Sequence, residues 1–111
     1  MNSQAKLVKV EQALTSIEGL RVYHYLRPQL QPPFCVWQED GEASSLEGDN
    51  HKGEQAISGT VDYFTQTEYD EMIDTIQDAL NATEGLGWSM SSVQYEDETE
   101  LIHYEWTWSV L

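Results

Sequence analysis

Residues 39–54, EDGEASSLEGDNHKGE, gather six acids, one lysine, one histidine and three glycines. Carboxylates at that density could hold a hard cation, imitate a charged surface, or form an arm by which identical subunits hold one another. Calcium chemistry of the EF-hand type needs oxygen ligands at alternating positions, a central glycine, a terminal bidentate acid and a helix on each side. Counted from Asp49, the third position is His51 and the fifth is Gly53. Counted from Asp40, the fifth is Ser44 and the sixth, where glycine is required, is Ser45. The flanking residues read as strands, so the stretch reads as a flexible, solvated acidic loop.

The other chemistry-bearing residues are sparse. His24 lies between two tyrosines and His103 lies in a second extended segment, yet no HxH or HxxxH spacing joins the histidines. Cys35 is the single cysteine, which excludes an intrachain disulfide and leaves no zinc-type pair. Carboxylate pairs such as Asp70 with Asp74, or Glu71 with Asp78, fall on the exposed side of a helix with nothing to separate their pKa values. There is no G-x-S-x-G elbow, and GEASSLEG lacks the lysine and spacing of a phosphate loop. No catalytic, cofactor-binding or metal-binding residue is assigned, and the reading is of a protein that is not an enzyme. The aromatic terminus HYEWTWSV could stack bases only beside a positive groove, so Trp106 and Trp108 are expected in the core with Trp37 and Trp88.

Charge narrows the function classes further. Five bases against twenty acids give −15 over 111 residues. All five bases (Lys6, Lys9, Arg21, Arg27 and Lys52) precede residue 53, whereas residues 53–111 hold thirteen acids and no base. A nucleic-acid backbone would be repelled, so direct nucleic-acid binding is not expected. Four Trp, six Tyr and two Phe set the chain apart from a disordered acidic tail. No apolar run approaches the roughly 20 residues of a membrane span, and MNSQAKLVKVEQ has no apolar signal core, so no membrane association and synthesis in a cytoplasm are expected.

The elements that must position these residues follow from periodicity. Leu7, Val10, Leu14 and Ile17 recur at helical spacing, with Ser3 suited to the start and Gly19 to the end. LRVYHYL (20–26) reads as extended, RPQLQPP breaks it, and FCVWQE (34–39) reads as a buried strand. QAISGTVDYFT (55–65) is a strand in which Gly59 marks a bulge or a close approach. Thr67 with Asp70 resembles a capping box for a second helix whose buried stripe is Tyr69, Met72, Ile73, Ile76 and Leu80. WSMSSVQY and LIHYEWTWSV flank the turn EDETE (96–100) as a hairpin with a period of two. The expectation is one domain over 1–111, α+β in class. It has two helices on one face of a mostly antiparallel sheet, in the order α-β-β-β-α-β-β.

This layout resembles the tail-terminator (tail-completion, head-tail joining) family of tailed bacteriophages and prophages. The resemblance rests on the N-terminal helix, the extended RVY (21–23) and the proline break running into PPFCVWQED (32–40). The polar loop, SGTVDYFT (58–65), a single helix and a closing hairpin complete it. It spans about residues 5–110 and includes no catalytic signature. It implies a virion structural protein, made in the bacterial host cytoplasm and located at the virion neck or tail. Such a protein forms a homo-oligomeric ring, typically a hexamer, that caps the tail tube and meets the head-tail connector. The partners implied are the chain itself, the tail tube protein and the connector protein, with no cofactor. Under this reading Glu39, Asp40, Glu42, Leu46, Glu47, Asp49 and Lys52 form a subunit-contact loop, with Leu46 as apolar anchor and Lys52 as charge partner. The alternative is a small acidic decoy or adaptor that mimics DNA and occupies a basic host protein.

Overall fold

The computed structural model describes residues 3–43 and 55–111. Along them run α1 (Ser3–Thr15), β1 (Val22–His24), β2 (Phe34–Glu42), β3 (Ile57–Thr65), α2 (Met72–Asn81), β4 (Leu86–Glu96) and β5 (Leu101–Val110). The fold is α+β in the expected order. Its five strands lie in the order β1-β2-β3-β5-β4. Every neighbouring pair is antiparallel except β1 with β2, which is parallel. The last strand in sequence is therefore an inner strand, and β4, eleven residues long, forms an edge. Among the described residues no helix is long and apolar enough to cross a membrane.

The period of two in β5 sorts its side chains cleanly. Trp106, Trp108 and Val110 are buried on the side that faces the helices. They join Cys35 and Trp37 of β2, Val61 and Tyr63 of β3, Val10 and Leu14 of α1, and Ile76 and Leu80 of α2. With ten residues, α2 is shorter than the roughly 12–15 at which an isolated helix becomes even marginal. Burial of Ile76 and Leu80, about 1.5–3 kcal/mol each, therefore holds it more than propensity does. The Trp106 indole N–H donates to the Gln77 amide oxygen at 3.0 Å and ties the same helix to β5.

Gly59 marks a close approach. It lies opposite Glu39 and Trp108, and a Cβ there would overlap the Gln38 carbonyl oxygen and the Trp108 ring. The bulge belongs to β2 instead, where the register shifts between Glu39 and Gly41. Trp108 fills the space over the glycine, and its buried indole nitrogen has no hydrogen-bond partner.

Several boundaries differ from the expectation, among them the end of α1, which stops at Thr15, short of Ile17 and Gly19. The first extended segment is only Val22–His24, because Tyr25 (φ +72°) turns the chain out of the sheet. The second strand continues past Glu39 to Glu42, paired with β3 through Ile57. Helix α2 begins at Met72, since Tyr69 takes φ +57° and stands 92% exposed, outside the buried stripe. Asp70 caps it rather than Thr67: its Oδ1 accepts from the Met72 backbone N–H at 2.9 Å. Its Oδ2 accepts from the Tyr63 and Thr65 hydroxyls, both at 2.7 Å.

The sheet also has a second, thinner apolar cluster on the face away from the helices, made of Phe34, Val36, Phe64 and Leu101 with Tyr23 against it. The radius of gyration is 14.8 Å, against about 13 Å for a compact domain of this length.

Candidate functional site

Strand alternation brings Asp62 and Phe64 of β3, Glu96 of β4 and His103 and Glu105 of β5 together on the face opposite the helices. His103 Nε2 lies 2.7 Å from Asp62 Oδ1, and its Nδ1 lies 3.4 Å from Glu96 Oε2. Its ring stacks on Phe64, with centroids 4.2 Å apart. Arg27, arriving from residues 25–33 between β1 and β2, donates to Glu96 at 2.9 Å. Its guanidinium sits 4.1 Å from the centre of the Phe64 ring. Thr99 donates to the same Glu96 carboxylate at 2.8 Å.

The electrostatics follow from these contacts. Burial alone would lower the His103 pKa, but the hydrogen bond and charge of Asp62, with Glu96 and Glu105 behind it, raise it above the ordinary imidazole value. The Arg27 hydrogen bond holds Glu96 below the usual carboxylate range against its partial burial. Both ring nitrogens of His103 face carboxylates, so the group works as a clasp that pins the proline segment 25–33 to the β4–β5 hairpin. It is not set up as a free general base.

A second cluster sits at the β1 edge. His24 stacks between Tyr25 (3.8 Å) and Trp37 (3.9 Å). Glu39 accepts from the Tyr25 hydroxyl and faces His24 Nε2 at 2.9 Å. Burial pushes the Glu39 pKa up, yet these two partners outweigh it and leave it lowered. Cys35 is fully buried, and desolvation with the nearby Asp62 charge pushes its thiol pKa well up, which leaves it inert. Among the described residues no group of three or more His, Cys, Asp or Glu is arranged to hold a metal.

The residues expected in a subunit-contact loop divide. Glu39, Asp40 and Glu42 lie in β2, where Glu39 is engaged with Tyr25 and His24, and Asp40 accepts from the Ser58 hydroxyl at 3.2 Å. Leu46, Glu47, Asp49 and Lys52, like His51, lie outside the described residues.

The surface that sequence reasoning passed over is defined by where acids are missing. The two longest acid-free runs of the chain are 19–38 and 85–95. The first contains the proline segment, on which Leu26 (78%) and Leu30 (51%) are exposed. The second is nearly the whole of β4, on which Met90 (39%), Val93 (51%) and Tyr95 (60%) are exposed. These three stand opposite Trp106, Tyr104 and Ile102 and so share the helix side of the sheet, beyond the helices. Arg27 and Phe64 place the proline segment on the other side. Counting acid-free windows would have found both runs in the sequence. Their placement on opposite faces needed the fold.

No protein-family model matches this chain, and no curated protein matches it.

Proposed function

We propose that the chain is a structural subunit of a tailed bacteriophage or prophage. In this reading it joins head to tail with copies of itself into a ring, as tail terminators do, and the ring caps a tail tube beneath the head connector. The observation that carries the reading is the pair of exposed apolar patches on opposite faces of one sheet, each built on an acid-free run of the sequence, in a molecule of net charge −15. Copies so charged repel wherever their acids face one another, and they can approach where acids are missing. Two different patches make a heterologous contact, the kind that closes rings. The α+β order, with helices on one face and a closing hairpin, is consistent with the sequence resemblance that suggested the family.

Light scattering coupled to size exclusion, over a range of protein concentration and salt, tests this. The expected result is a discrete multimer that grows more stable as salt screens the repulsion, visible as a ring by electron microscopy. A chain that stays monomeric at every concentration and salt, or that stops at a two-fold dimer, overturns the self-assembling ring.

A further inference from the structure

We propose that the groove between the proline segment and the β4–β5 turn receives the apolar surface of β4 from a neighbouring copy, with Tyr95 as the inserted side chain. The inference rests on the head-to-tail reading above and assigns its two contact surfaces. The groove encloses ≈ 770 Å³, within the roughly 300–1,000 Å³ of a ligand-sized cleft. Phe34, Leu101 and Leu30 supply its apolar lining, and the side-chain amides of Gln29, Gln31 and Gln66 supply hydrogen-bonding groups for a phenol. Among the described residues no acid lines it, and Arg27 is its one charged residue.

The occupant is argued from charge and from the edge itself. The described lining of the groove offers a basic partner no acid to pair with, although Glu96, Asp97 and Glu98 stand on the adjoining turn beside Arg27. A second copy brings an equally chargeless surface: residues 86–95 (LGWSMSSVQY) contain no charge of either sign and no proline. Edge strands are ordinarily guarded by lysine, proline or inward charge, and β4 has only the irregularity between Met90 and Ser92. Tyr95, an aromatic with an exposed body and a polar tip, is the kind of side chain that anchors contacts between subunits. The groove opens on the face away from the helices, whereas Tyr95 stands on the helix side. A copy therefore cannot satisfy its own groove, and the strip does not need to meet another strip.

Complementation between two variants tests the assignment. Tyr95→Asp spoils the strip and leaves the groove, while Leu30→Asp spoils the groove and leaves the strip. Both side chains are more than half exposed, and far-UV circular dichroism checks that each variant folds. Each alone is expected to run at monomer mass under conditions where the wild type is multimeric. Mixed, they should form a 1:1 complex that grows no further, because only one intact strip and one intact groove remain to meet. Thr107→Asp, on an exposed position outside both surfaces, should keep the wild-type mass. A multimeric wild type whose two variants fail to complement overturns the groove assignment and leaves the ring reading standing. Loss of assembly with Tyr95→Asp but not with Leu30→Asp means that strips pair with each other, and it also overturns the assignment. A monomeric wild type fails the ring reading and this one together.

Discussion

At Gly59 a single missing methyl group decides how two strands meet. The Trp108 ring occupies the space that any Cβ would need, with the Gln38 carbonyl on the other side, and β2 bulges next to it. Gly59→Ala should destabilise the fold by about 1–3 kcal/mol or more through overpacking against backbone, which cannot swing away as a long side chain would. Urea unfolding should show a lower midpoint with an unchanged slope. Against a typical total of about 5–15 kcal/mol, that is a large share of the stability. His103 is the other residue with a definite signature. Its pKa is raised in the folded chain, so the stability it contributes is fully present below the unfolded imidazole value and is lost as pH rises through the higher folded value. The stability difference between wild type and His103→Gln should therefore be larger near about pH 6 than near about pH 9. A difference that grows with pH would contradict the clasp of Asp62, His103 and Glu96. The sequence marked Gly59 as special because a glycine interrupts an alternating strand. It could not pair His103 with Asp62, since 41 residues separate them and only the register of β3 with β5 brings them together.

The elements were legible in proportion to how far local pattern governs them. The strand Leu101–Val110 was readable to the residue, because a clean period of two over ten positions leaves one solution. The start of α2 was not readable. A Thr-x-x-Asp spacing suggested a cap at Thr67, yet the left-handed turn at Tyr69 delays the helix, and Asp70 is recruited by hydroxyls on β3. That recruitment is a tertiary contact with no local sequence mark. Asp70→Ala should cost about 1–3 kcal/mol by leaving the Met72 N–H and two hydroxyls without their acceptor. Hydrogen exchange should locate the loss in the first turn of α2. Burial raises the Asp70 pKa, but these three donors outweigh it and the folded value is lowered. Its contribution is thus present above the unfolded carboxylate pKa and disappears as pH falls through the folded one. The stability difference between wild type and Asp70→Asn should accordingly shrink on acidification. The short β1 misled for a related reason: LRVYHYL has strand composition throughout, but Tyr25 turns out of the sheet after three paired residues.

For the whole molecule, charge distribution would govern the proposed assembly. The exposed acids include Asp74 and Asp78 on α2, Glu71 just before it, and Asp97, Glu98 and Glu100 on the hairpin turn. Raising salt from about 50 to 500 mM shortens the screening length from roughly 14 to 4 Å. Association of the wild type should therefore strengthen with salt, as measured by sedimentation. A surface ion pair such as Arg27 with Glu96 should weaken over the same range. Association that falls with salt would mean that opposite charges, rather than acid-free apolar surfaces, hold the copies together.

By itself the sequence determined the fold class, the order of elements, the main core of tryptophans and aliphatics, and the strength of the negative charge. All of these are written in local periodicity or composition. Tertiary structure decided the rest. It set β5 between β3 and β4, which makes β4, uncharged as far as Tyr95, an edge. It also folded the proline segment across the open face, where Arg27 meets Phe64 and Glu96. Strand order and the course of a connection are settled by which faces must be buried against each other, and that is a property of the whole chain rather than of any window within it.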